Sequence, residues 1–152
     1  MAYVTAEARQ NLLDDLALAI EELGVALAAL GAAYEALDEQ SGDRLEEGLF
    51  RPVQSAYGRA QRTHSAFAER YGLPTRTFAP ASAGLPSQGV KGFLEKATEA
   101  IAESDTLLVE LQDSMAPVEV GDEQLRAGLS EVRALLADLQ DRAALFVSRF
   151  GR

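Results

Sequence analysis

The sequence predicts an all-α protein: four long helices in a single antiparallel, up-down-up-down four-helix bundle. Two observations carry that prediction. Apolar residues recur at alternating steps of three and four in four separate segments, the spacing that lines up one face of a helix. Glycine, proline and small polar residues separate those segments, and 152 residues suit one domain spanning 1–152.

The first predicted helix covers 5–40. Its apolar face is Leu13, Leu16, Ile20, Leu23, Leu27, Leu30, Tyr34 and Leu37. Thr5 is placed to cap it, and Ser41-Gly42 to end it. The second covers 43–71, starting at Asp43 with Glu46 as a capping-box partner. Its face reads Phe50, Val53, Tyr57, Ala60, His64, Phe67, Tyr71. Gly48, Pro52 and Gly58 lie inside it. Proline lacks the N–H that bonds the carbonyl four residues back, so an interruption between Gly48 and Pro52 is expected. Tyr71-Gly72-Leu73-Pro74 reads as a glycine-terminated stop. Residues 73–88 hold three of the five prolines and no period, hence a loop. Helices at 89–115 and 122–150 follow, the first along Val90, Leu94, Ala97, Ile101, Ser104, Leu108, Leu111 and Met115. The second follows Leu125, Leu129, Val132, Leu136, Leu139, Ala143, Phe146 and Phe150.

Short turns at 41–42 and 116–121 make those neighbours antiparallel. The middle connection of 16 residues reaches at most ~53 Å, against ~42 Å for a 28-residue helix. A crossover is feasible with little slack, and a same-end loop is the favoured reading. In that order Tyr57 and Ser104 share a layer, and His64 faces Ala97.

Composition excludes several functions. With no cysteine there is no disulfide, thiolate zinc site or cysteine nucleophile. A net charge of −10 argues against nucleic acid and anionic membranes as partners. The N-terminus lacks signal-peptide character, and the charge-free run at 23–34 is twelve residues, short of the ~20 of a membrane span. A cytoplasmic protein is expected.

Chemistry is sparse. His64 is the one histidine, so the two Glu-x-x-His pairs of a ferritin-like di-iron site are absent. Its residues Ser65-Ala66-Phe67-Ala68 lack the lysine and glycine that follow a histidine phosphotransfer acceptor. A buried ring hydrogen-bonded to a neighbour is the plain reading; a general base or ligand contact is the functional one. Glu95, Glu99 and Glu103 read as a solvated flank beside Lys91 and Lys96. No metal site, cofactor or catalytic residue is expected.

Charge is more informative. Residues 5–40 hold eight acids and one arginine, whereas 51–76 hold five arginines and Glu69 alone. Arg59 and Arg62 pair with acids of neighbouring helices or, with Tyr57, His64 and Ser104, line an anion or small-molecule site. The run 23–34 is apolar all round, which a monomeric bundle does not require. Gly24, Ala28 and Gly31 there admit a second helix, so a homodimer is expected. The loop 73–88, with Leu73, Phe78 and Leu85, either packs over the end of the bundle or docks a protein partner. The leading expectation is a non-enzymatic, self-associating interaction protein. The alternative is a small-molecule or anion-binding bundle, or an enzyme, with its site around the second helix.

Overall fold

The computed structural model describes residues 5–79 and 81–150. The described residues are 86% helical with no strand among them, so the chain is all-α. Helix α1 (Ala6–Ala36) starts where Thr5 Oγ1 accepts the Ala8 N–H at 3.0 Å, and it is unbroken for 31 residues. It stops four residues before the expected end. Leu37 and Asp38 are extended, and the Asp38 carboxylate caps α2 (Glu39–Leu45) by accepting the Ser41 N–H at 2.8 Å. Ser41 and Gly42 are therefore helical, and Asp43 is inside α2 rather than capping it. Gly42 is small for another reason: a Cβ there would meet the Tyr34 ring at 3.2 Å.

The interruption expected between Gly48 and Pro52 is a π-helical turn, Glu46–Phe50, leading into α3 (Arg51–Arg70). The Arg51 N–H reaches five residues back to the Glu46 carbonyl. The Gly48 carbonyl, which Pro52 cannot serve, accepts from Arg142 Nη1 at 3.3 Å. Helix α3 closes with the paired bonds of a Schellman motif, Leu73 N–H to Ala68 O and Gly72 N–H to Glu69 O, with Gly72 left-handed at φ 67°. After a 3₁₀ turn at Pro86–Gln88 come α4 (Gly89–Asp113), the short α5 (Ala116–Val120) and α6 (Glu123–Phe150). Asp122 caps α6, its Oδ1 accepting the Leu125 N–H at 2.7 Å.

Helix α1 packs on α3 and α4, and α6 packs on the same two. Side-chain contacts fix the directions. Arg9 lies over the Tyr71 ring, while Gly24 faces Tyr57, so α1 and α3 are antiparallel. Arg70 pairs with Asp122, while Gly48 meets Arg142, so α3 and α6 are antiparallel. Arg133 bonds Gln112, and Gln140 bonds Asp105, so α4 and α6 are antiparallel. Helices α3 and α4 therefore run the same way, and the expected up-down-up-down order is incorrect. A same-end loop would have started α4 beside the end of α3. Instead residues 72–79 and 81–88 form a strap that climbs back along α1. Arg76 pairs with Glu21 of α1, Phe78 meets His64, and the Ala83 carbonyl accepts from Lys96 Nζ at 3.1 Å. The layers change accordingly. Ser104 is level with Ala19, and His64 is near Leu13 and Asp14, so His64 does not face Ala97.

The core is aliphatic, with Leu13, Leu16, Ile20, Leu23, Leu30, Leu94, Ile101 and Leu136 buried around Phe67. Helix α1 also buries Leu12, Ala19, Ala26, Ala29 and Ala33, because two helices and the strap cover it. By length and composition α1 would suffice to cross a membrane, but 56% of its most apolar window is buried inside the fold.

Candidate functional site

The strap shapes a groove on the small-residue face of α1. Gly24, Leu27, Ala28, Gly31 and Ala32 form its floor, and Tyr57, Phe78 and Ala83 form its walls, around an open hollow of about 540 Å³. Gly24 is filled from α3: a Cβ there would touch the Tyr57 ring at 3.7 Å. Gly31 faces open space, with nothing within 4 Å of where its Cβ would lie. The sequence assigned Gly24, Ala28 and Gly31 to a subunit contact; in the structure they line this groove. Burial pushes the Tyr57 phenol up, which keeps it neutral and able to donate. Among the described residues its hydroxyl bonds no protein group.

His64 is 3% exposed, confirming its place on the inner face of α3. Its ring and that of Phe78 meet at right angles, with centroids 5.4 Å apart. The expected hydrogen bond is missing on one side, because Nδ1 is buried without a partner. Burial first, then the Arg76 guanidinium, depress the imidazole below its ordinary value; Asp14 opposes them. The neutral ring acts as a support for the strap. The Arg76 guanidinium also lies over the Phe78 ring, 5.0 Å from its centroid.

The remaining sequence-assigned residues lie elsewhere. Ser104 is fully buried between α4 and α1, donating to the Ala19 carbonyl at 2.8 Å. Arg59 and Arg62 turn toward α6. Arg59 Nε pairs with Glu131, and its Nη1 donates to Thr63 Oγ1 at 3.0 Å. Arg62 and Arg70 border a smaller crevice of about 250 Å³ with Gln124 and Ala127. The five proposed ligand contacts thus fall into three places: Tyr57 and His64 on the strap side, Arg59 and Arg62 on the α6 side, and Ser104 in the core.

Two groups at the helix contacts had no signal as function-bearing in the sequence. Asp122 accepts from Arg70 Nη2 at 2.5 Å, Arg70 Nε at 3.0 Å and the Tyr71 hydroxyl at 2.9 Å. Burial raises its carboxyl, but the bonds from Arg70, the Leu125 N–H and Tyr71 together hold it below its usual value. Thr63 packs directly on Gly128. Phe78 was expected to pack over the end of the bundle or dock a partner; its contact His64 is 14 positions away and invisible to helical spacing.

A larger hollow of about 610 Å³ opens beside the π turn, but apart from Gly48 it is lined by α6 alone, through Arg142, Leu145, Phe146, Ser148 and Arg149. Among the described residues no three His, Asp or Glu side chains cluster as metal ligands. No family model, curated protein or solved structure matches the chain.

Proposed function

We propose that this chain is a non-enzymatic helical protein that binds a small apolar molecule in the groove between α1, Tyr57 and the strap. The observation that carries the reading is the strap itself: it walls one side of an open groove of about 540 Å³, largely apolar, against glycine and alanine. Ligand pockets of ~300–1,000 Å³, apolar with a few polar groups, are the usual form of such sites. The Tyr57 hydroxyl is the neutral polar group in its lining. The proposal takes the four long helices as one bundle of up-down-down-up order, supported by the pairwise directions above. It takes the protein as cytoplasmic, which the burial of α1 supports.

Gly31→Leu tests it. The new side chain enters open space, gains helix propensity and fills the groove. Bound ligand stabilises a fold by mass action, ~2.7 kcal/mol at a hundredfold excess over Kd. Added 1-octanol should raise the Tm of the wild type and leave that of Gly31→Leu unchanged. Equal shifts for both proteins, or none for the wild type, would refute the site.

Self-association is the second reading, favoured by Leu18 and Leu85, which are 50% and 72% exposed. A second copy covering Ala28 and Gly31 would bury the same groove. Light scattering decides it: a dimer has twice the 16.3 kDa chain mass, and Ala28→Arg should return it to a monomer.

A further inference from the structure

The groove has two chemically different ends. At one, Phe78 is capped by Arg76, whose guanidinium is already paired with Glu21 of α1. One cation seat over that ring is already taken, and the Arg76 charge is compensated. At the other, Glu35 borders the groove and has no cation partner within salt-bridge distance among the described residues. Glu35 lies on the same face of α1 as Gly24, Ala28 and Gly31, about 16 Å beyond Gly24 along the helix axis. Between the two ends the lining is aliphatic, with Tyr57 as the one neutral polar group.

From that asymmetry we infer that the groove takes an apolar organic cation, an amine whose ammonium meets the Glu35 carboxylate while its hydrocarbon part lies along Gly31, Ala28 and Leu27 toward Tyr57. The inference rests on the binding reading above and adds the ligand class to it. An ammonium supplies donors to a carboxylate that accepts only. A net charge of −10 raises the local concentration of cations and favours their encounter. A carboxylic acid of the same shape would place like charges together at Glu35. At the other end it would compete with Glu21 for Arg76.

Three probes of equal chain length, n-octylammonium, 1-octanol and octanoate, separate the contributions when their Kd values are measured by calorimetry at pH 7 and low salt, below any micelle concentration. Octylammonium should bind about three- to fivefold more tightly than octanol, the margin an exposed ion pair supports. Octanoate should bind most weakly. Glu35→Gln, a change at an exposed position, should erase the ammonium margin and leave octanol binding unaltered. Moderate salt should shrink the margin in the wild type only. A margin that survives in Glu35→Gln would assign the preference to overall charge and overturn the inference, as would octanol or octanoate equalling the ammonium. Failure of all three probes would overturn the groove reading and this inference with it. Octanol binding without a cation preference would overturn this inference alone.

Discussion

Replacing Gly128 by alanine should destabilise the protein, although the same change in an ordinary helix interior stabilises by ~0.8–1.0 kcal/mol. The reason is the crossing of α3 and α6. A Cβ at 128 would lie 2.4 Å from Thr63 Oγ1 and 2.8 Å from Thr63 Cγ2. Threonine carries two heavy atoms on Cβ, so rotating one away brings the other in. Its hydroxyl is also committed, accepting from Arg59 Nη1 at 3.0 Å and donating to the Arg59 carbonyl at 2.9 Å. Overpacking of this kind costs ~1–3 kcal/mol, and losing a hydrogen bond adds ~0.5–1.5 kcal/mol. After the propensity gain, the net loss is about 0.5–3.7 kcal/mol, a fall in Tm of roughly 1–15 °C for a chain of this size. Urea and thermal unfolding of the wild type, Gly128→Ala, Thr63→Ala and the double variant form a complete cycle. The double variant should recover most of the Gly128→Ala loss, giving a coupling of ~1–3 kcal/mol. If Gly128→Ala is as stable as the wild type or more so, the two helices do not meet at Thr63, and the α3–α6 packing described above is wrong.

Asp122→Ala removes the cap of α6 and the partner of Arg70 and Tyr71 together. A cap contributes ~0.5–2 kcal/mol, and the partly buried pair raises the total loss to roughly 3 kcal/mol; Asp122→Asn, which can still cap, should lose clearly less in urea titrations. Because the folded carboxyl is held below its unfolded value of 3.8, its contribution is present above that pH and disappears as the pH falls through the folded value. His64 gives a separate dependence at higher pH. Its folded value is depressed below 6.5, so the unfolded chain binds the extra proton: stability is full above pH 6.5 and declines as the pH falls from there toward the folded value, by at most ~1.4 kcal/mol per pH unit. His64→Gln should flatten Tm against pH in that window, and an unchanged slope would show that another group carries it.

Local order was legible because it depends on neighbours in sequence. Thr5 as a cap, the stop at Gly72 and the disturbance before Pro52 follow from capping, left-handed glycine and the missing proline N–H, and each stands in the structure. The boundary at 37–38 was misread because two capping aspartates compete within five residues. Asp38 wins by leaving Gly42 helical against the Tyr34 ring, a contact with no sequence signature. The apolar circumference of 23–34 was visible, but what covers it was not, since the strap reaches α1 through Phe78, Ala81 and Ala83, residues with no period to read.

The order of the helices was decided by contacts of that same nonlocal kind. Chain length permits both a same-end loop and a crossover, so the choice depends on what a crossing segment can bury and bind along the way. Here it gains the His64–Phe78 edge contact, the Arg76 pair with Glu21 and the Lys96 bond to the Ala83 carbonyl. Those three anchors also explain the character of helix α3. An imidazole at position 64 is poor core material, being left with a buried Nδ1 without a partner, yet it gives an aromatic ring against which Phe78 packs perpendicularly. Glycine at 31 is poor helix material, yet it leaves open the space beside the strap. Both departures from good bundle sequence lie where the strap crosses, and both cost stability that a same-end loop would not have required. A chain that keeps them holds a groove open, which places the search for function on that face of α1 rather than on the arginines facing α6.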